Sequence, residues 1–196
     1  FNDLKNHAQF TKEDSRFFRY IIYDRSISDG YRAKMAPEIL KFYQIHENEN
    51  ETKAFLQSID FAILKPDARR LLMDMLVWNH LYEKAYDMTA EYGIDQLGPA
   101  AKVTLCEHAL ATGMQDDELM LNLAVSTFAA GKYNEEILGF LCDNYTGPTD
   151  IMLDLWQAAD KFAISSVNLE ERIIEQSIYT DRDLCSILDV FTQYYK

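Results

Sequence analysis

Cysteine, proline and glycine are all scarce in this chain, at three, four and seven of 196 residues. Cys106, Cys142 and Cys185 are odd in number and lie far apart. That spacing argues against a disulfide framework and against a zinc site, both of which need close or paired thiols. Each falls in an apolar stripe, so all three are expected to be buried as small hydrophobes, which favours a reducing, cytoplasmic location. Long apolar runs are missing too. The longest, such as Leu123-Ala124-Val125, stop far short of a membrane span. No basic-then-apolar leader opens the chain, which starts at Phe1 and reads as a piece of a longer protein with any targeting signal expected upstream.

Positive charge is the next scarcity. The formal net charge is −13, and it is uneven: residues 1–46 carry eight Lys/Arg against six Asp/Glu, the remainder eleven against 26. From Val103 to Asp160 Lys132 is the only basic residue among ten acids. A field of that sign repels phosphate backbones, which excludes general nucleic-acid binding and suits a neutral or basic protein partner. An acidic, solubilising face is the plainer explanation of the same pattern.

Signatures of chemistry are absent as well. None of His7, His46, His80 and His108 has a glutamate or histidine at the spacing of a zinc helix or a di-iron bundle. No nucleophile elbow, phosphate-cradling glycine loop or calcium loop occurs. Cys106 and His108, two apart on a helix, point to nearly opposite sides and cannot pair as nucleophile and base. Glu135-Glu136 and Asp116-Asp117-Glu118 open helices, where carboxylates interact favourably with the macrodipole. The expectation is a non-enzymatic protein with no catalytic residue, no metal site and no cofactor.

What fills the chain is helical periodicity. Met120, Leu121, Ala124, Val125 and Phe128 share a face; so do Ile137, Leu138, Leu141, Cys142 and Tyr145. Leu169, Ile173, Ile174 and Ile178 repeat the pattern, as do Leu184, Ile187, Leu188, Phe191 and Tyr195. All follow a 3.6-residue period, and no run of four or more alternates as a strand would. Helix starts are expected at Pro37, Glu51, Pro66, Leu81, Pro99, Asp116, Tyr133, Pro148, Asn168 and Asp181. An earlier helix is expected from about Lys12 to Tyr23, striped by Phe17, Tyr20, Ile21 and Asp24, with a turn over Arg25–Gly30.

Punctuation agrees with the stripes. Gly98-Pro99 and Gly147-Pro148 place a turn residue before a proline at the first helical position. Gly93, Gly113 and Gly131 follow apolar stripes as left-handed C-terminal caps, and Asn168 with Glu171 has capping-box spacing. Gly139 alone falls within a helix, where close packing against a neighbour would account for it. Starts recurring roughly every 17 residues, with short turns and helices apolar on more than one side, predict an all-α superhelix, a solenoid of about five antiparallel hairpins. Residues 1–36 are assigned to an N-terminal helical segment, the end of an upstream repeat, and residues 37–196 to the repeat domain.

Between Ala124 and Pro148 the chain resembles a tetratricopeptide repeat. Phe128, Gly131-Lys132-Tyr133, Phe140 and Pro148 stand near that family's aromatic, turn-glycine, tyrosine, aromatic and closing-proline positions. Glu136 and Asp143 depart from it, standing where the family prefers small alanines. A second echo at Tyr82-Glu83-Lys84-Ala85 has His80 in the glycine position. The Gly-Pro pairs recur after 49 residues, which is three helices, whereas starts at Pro66, Pro99, Tyr133 and Asn168 give a two-helix period of about 34. Degenerate tetratricopeptide-like hairpins are preferred over a three-helix or HEAT-like unit. The resemblance implies a concave groove that holds a protein or peptide partner.

Candidate partner-binding residues follow. Arg69, Arg70 and Lys102 lie early in successive first helices, so a stack would set them on neighbouring rungs as a clamp for a carboxylate. Pairing with acids of the same chain is the competing explanation. Trp78, Tyr82 and Tyr86 have helical spacing across a turn and serve either as core or as an anchor patch. The functional expectation is a scaffold for protein–protein or interdomain contacts, with a purely structural spacer as the alternative.

Overall fold

The computed structural model describes residues 12–45, 49–113, 116–179 and 184–195. Among these residues the chain is all-α, with eleven helices and no strand. It divides between Gly98 and Pro99 into two compact units.

The first unit opens with α1 (Lys12–Tyr23) and α2 (Asp29–Ile45), followed by α3 (Glu49–Ser58), α4 (Pro66–Trp78) and α5 (Tyr82–Tyr92). Helix α1 has the expected bounds but buries a different face. Phe18, Ile21 and Ile22 are in the core with Asp14, while Phe17 and Tyr20 face outward. The inner face meets an aromatic cluster: the Phe18 ring packs edge-on against Phe42 at 5.0 Å and Tyr43 at 5.5 Å. Tyr43 in turn meets Phe55 of α3 at 5.9 Å. Such edge-to-face pairs add to the area they bury.

Pro37 does not open a helix. It lies inside α2, so the expected start there, and the division after residue 36, fall within a continuous helix. A proline in a helix interior forgoes one backbone bond and costs about 3 kcal/mol. Ala33, Met35, Ala36, Ile39, Leu40, Phe42 and Tyr43 are all buried, and their burial carries the helix through. The helix begins at Asp29, with the Ser28 carbonyl accepting from the amides of Tyr31 and Arg32.

Helix α3 is closed from a distance. The Lys84 ammonium on α5 donates to the carbonyls of Leu56, Gln57 and Ile59 at 2.9, 2.8 and 3.2 Å. These acceptors lie at a helix C-terminus, where the macrodipole favours a cation. Burial holds the Lys84 pKa below the ordinary lysine value, and the ammonium also lies 5.1 Å from the centre of the Phe61 ring.

The second unit comprises α6 (Pro99–Ala111), α7 (Asp117–Ala130), α8 (Asn134–Asn144), α9 (Thr149–Lys161), α10 (Val167–Tyr179) and α11 (Leu184–Tyr194). Each of α6 to α8 packs on the next helix or the next but one: α6 on α7 and α8, α7 on α8 and α9, α8 on α10. Helix α10 also packs on α9 and α11. Observed starts lie within two residues of Glu51, Pro66, Leu81, Pro99, Asp116, Tyr133, Pro148 and Asn168. The expected start at Asp181 lies outside the described residues.

Helix α7 is capped at both ends. The Asp116 side chain accepts from the Leu119 amide at 3.0 Å, and Gly131 ends α7 in the left-handed conformation. Helix α10 begins at Val167, so Asn168 is inside the first turn and is not the cap that its spacing to Glu171 suggested. Gly139 has no neighbour within 4 Å of where a Cβ would stand. It borders an open cleft of about 390 Å³ between α8 and α10, so close packing does not explain it.

Two helices end on left-handed residues that are not glycine. Ala163 has φ 55°, with its amide donating to Asp160 O and the Ile164 amide to Ala159 O. His80 has φ 60° and closes α4 with the same pair of bonds, to Val77 O and Leu76 O. This is the Schellman arrangement, whose left-handed position favours glycine because a Cβ there costs about 1–2 kcal/mol. Ala163 is exposed and its side chain is a single methyl. Ala163→Gly is therefore expected to stabilise the second unit by about 0.5–1 kcal/mol, less than the full strain because glycine loses more entropy on folding. Urea denaturation checks this; an unchanged or lowered midpoint contradicts it.

Candidate functional site

Of the three basic residues considered for a clamp, Arg69 and Lys102 make contacts within the chain. Arg69, on the first turn of α4, donates from Nη2 to Leu64 O at 3.1 Å and from Nε to Phe61 O at 3.4 Å. Its guanidinium also lies over the Tyr92 ring, 4.0 Å from the centroid. These contacts fasten the 3-10 turn at Phe61–Ile63 and the end of α5 to α4. Lys102 on α6 is buried, and its ammonium donates to the Ser126 hydroxyl on α7. Arg69 and Lys102 are thus structural donors, the former in the first unit and the latter in the second. Arg70 is exposed.

The aromatic group separates along its length. Trp78, the last residue of α4, is 48% exposed, Tyr82 is half-buried, and Tyr86 is in the core. The Tyr82 hydroxyl lies 2.8 Å from His80 Nδ1, which holds the left-handed residue against the start of α5. Leu71, one heptad before Trp78 and therefore on the same side of α4, is 40% exposed.

A larger apolar surface lies on α1, where the sequence reading expected a core stripe. Phe17, Tyr20 and Tyr23 are 40%, 55% and 48% exposed, and Arg16 and Arg19 stand exposed beside them. At 100° per residue, Arg16, Tyr20 and Tyr23 fall within one narrow sector opposite Phe18 and Ile22, with Phe17 on one flank and Arg19 on the other. Tyr31, early in α2, is a further exposed aromatic. Aromatic rings interleaved with arginine are the composition of binding hot spots, because they bring large contact area with few rotatable bonds.

Thiols and carboxylates were placed unequally by the sequence. Cys106 and Cys142 are buried as expected, and burial pushes their pKa values to about 12 and about 11. Cys185 is exposed, which corrects the expectation for it: α11 is covered on one side only, through Ile187 and Phe191. At a pH of about 8 one thiol in three is expected to react rapidly with Ellman's reagent, and Cys185→Ser to abolish that burst. A fast phase surviving in the variant would contradict this placement. Among the described residues no group of three or more His, Cys, Asp or Glu is arranged to hold a metal ion, and no helix is long and apolar enough to cross a membrane.

Polar knots that spacing did not reveal hold the second unit together. The Tyr145 hydroxyl, at the end of α8, donates to the Asp117 carboxylate at the start of α7. Burial and this bond raise the Tyr145 pKa. Gly147 lies so near this pair that a Cβ would collide with both, which is why glycine precedes Pro148. Further along, the indole of Trp156 donates to Glu170 Oε1 at 2.8 Å, and the Tyr195 hydroxyl donates to the same oxygen. The Tyr194 hydroxyl donates to Asp160 Oδ2 at 2.5 Å.

Comparison with known proteins adds family membership and no activity. Residues 1–116 match the N-terminal part, and residues 117–196 the C-terminal part, of a family described as "Family of unknown function (DUF5717)". Neither the curated proteins nor the solved structures contain a match to the chain.

Proposed function

We propose, for a chain that belongs to the family of unknown function DUF5717, a non-enzymatic role as a helical scaffold that holds a protein partner or a neighbouring domain. The observation that carries this reading is the outer face of α1, where Phe17, Tyr20 and Tyr23 stand in solvent among Arg16 and Arg19. A helix that buries one side in an aromatic core and leaves three large rings on the other presents apolar area that water solvates poorly. The partner surface complementary to it is apolar at its centre and carries carboxylates at its edge. Trp78, Leu71 and Arg70 on α4 form a second, smaller patch of the same composition.

The repeat character belongs to the same proposal. Contacts of α6 to α10 with the next helix or the next but one support stacked hairpins in the second unit. The left-handed conformations of Gly131 and His80, at matching places in the two tetratricopeptide-like echoes, support a shared turn. Such hairpins offer a rigid surface, and rigidity limits the entropy lost on binding.

The test is cross-linking and pull-down from the native source with wild type and the double variant Phe17→Ala/Tyr20→Ala. Both side chains are exposed, so the variant keeps its fold, checked by circular dichroism. Loss of a specific partner is the expected result. Capture of the same partners by both proteins would overturn the α1 placement. A wild type that captures nothing reproducible would favour a spacer that only joins other domains.

A further inference from the structure

We propose that the groove between α8 and α10 receives a lysine- or arginine-rich segment of a protein partner. This docking groove lies within the second unit and does not depend on the α1 face argued above, so either can fail without the other. Helices α8 and α10 pack directly on each other and leave between them an open cleft of about 390 Å³. Gly139 and Asp143 line it from α8, and Glu171, Arg172 and Glu175 from α10. Residues three and four apart share a helix face, so each helix turns one stripe to the groove.

Charge selects the occupant. Asp143, Glu171 and Glu175 are exposed along the groove and face one guanidinium, that of Arg172. Arg172 Nη1 lies 3.8 Å from Glu175, beyond hydrogen-bond reach, with the two side chains 36% and 64% exposed. Such a pair contributes little, so a partner's cation takes Glu175 from it at little cost. The excess of carboxylates continues beyond the groove: residues 99–196 carry six Lys/Arg against sixteen Asp/Glu. An anionic segment is repelled there, and an apolar one has no counterpart. Shape points the same way. Gly139 stands inside α8, where glycine is disfavoured relative to alanine, yet nothing lies within 4 Å of where its Cβ would be. The bare backbone deepens the groove, and any side chain longer than alanine's would project into it. Long cationic side chains suit such a trough: their methylene stems lie over Gly139 while the charged ends reach the carboxylates of the rim.

Fluorescence anisotropy of a fluorescein-labelled oligoarginine peptide, titrated with the whole chain at low ionic strength where charge pairs are least screened, tests the proposal. A dissociation constant below about 1 mM is expected, with no binding of an oligoglutamate peptide. Glu171→Gln/Glu175→Gln is expected to weaken binding about fivefold or more, the worth of two exposed charge pairs. Glu118→Gln/Asp154→Asn removes the same charge from exposed positions on α7 and α9, and is expected to change binding by less than about twofold. Gly139→Gln fills the groove without altering its charge and is expected to weaken binding as much as the glutamate pair does. Circular dichroism checks the fold of each variant; should Gly139→Gln not fold, the glutamate pair, both exposed, carries the test. Failure of oligoarginine to bind overturns the proposal. So does an equal loss in the α7/α9 variant, which would mean attraction to the acidic surface at large, and so does unchanged binding in both groove variants. Spermine binding as tightly as the peptide also overturns it, marking a site for small polyamines.

Discussion

Trp156→Ala is expected to be the most damaging single substitution in the second unit, at about 3–5 kcal/mol. The indole is fully buried on α9. It packs edge-on against Phe191 and Tyr194 at 4.7 Å each, and lies 6.3 Å from Tyr195. Truncation removes the wall against which α11 is seated and takes away one of two donors from Glu170. For a unit of about 100 residues that loss corresponds to roughly 15 °C or more in melting temperature. The design of the chain makes the measurement specific, because its two tryptophans fall one in each unit. In the variant, Trp78 fluorescence reports the first unit alone, while circular dichroism still sees both. A helical signal that melts in two steps, with the Trp78 step where it is in wild type, is the expected result. Trp156→Phe keeps an aromatic ring but not the N–H donor, and should recover more than half of the loss. If Trp156→Ala melts within a few degrees of wild type, the account of the α9–α10–α11 cluster is wrong.

Cutting the chain between residues 116 and 117 is the second large effect. That is where the two family segments meet, but the compact units meet at Gly98 and Pro99. Helix α6 therefore belongs with α7. Their interface buries Ala101, Leu105, Cys106 and Ala109 on one side and Met120, Leu123, Ala124 and Phe128 on the other, with Cys106 Sγ 3.5 Å from Met120 Sδ. Burying one large aliphatic side chain contributes about 1.5–3 kcal/mol. Losing α6 forfeits several such contributions, comparable with the whole stability of an ordinary domain, about 5–15 kcal/mol. A fragment of residues 99–196 is expected to unfold cooperatively in urea. Residues 117–196 are expected to lose cooperativity and to bind the dye ANS through the uncovered face of α7. Equal, sharp transitions for the two fragments would show that α6 contributes little.

The helices were legible because their apolar spacing and their caps are local signals. Pro66 and Pro99 are the first residues of their helices, and Asp116, Tyr133 and Pro148 immediately precede theirs. Pro37 misled because a proline on the first turn and one inside a helix held by burial look alike in sequence. On α1 the stripe was read one step too far round: Phe17, Tyr20 and Ile21 suggested a face, whereas Phe18, Ile21 and Ile22 are the buried set. Two readings a third of a turn apart are hard to separate in twelve residues that carry aromatic rings on most sides. For Arg69 and Lys102 the sequence left a partner clamp and pairing with acids of the same chain both open, because it does not say which backbone carbonyl or hydroxyl a long cation will reach. The Arg19–Glu51 ion pair between α1 and α3 left no pattern at all. Arg19 and Glu51 are 32 residues apart, and only folding brings them within a hydrogen bond of each other.

The three carbonyls gathered by Lys84 bear on how the first unit loosens. Helix ends ordinarily fray one turn at a time, in nanoseconds and independently of the rest. Here the last turn of α3 is held by an ammonium rooted 25 or more residues further along the chain. Undoing that turn means re-wetting a charge on α5, and lifting α5 away strips three carbonyls at the end of α3 of their donor. Two distant stretches of sequence therefore share one latch, and neither opens without the other.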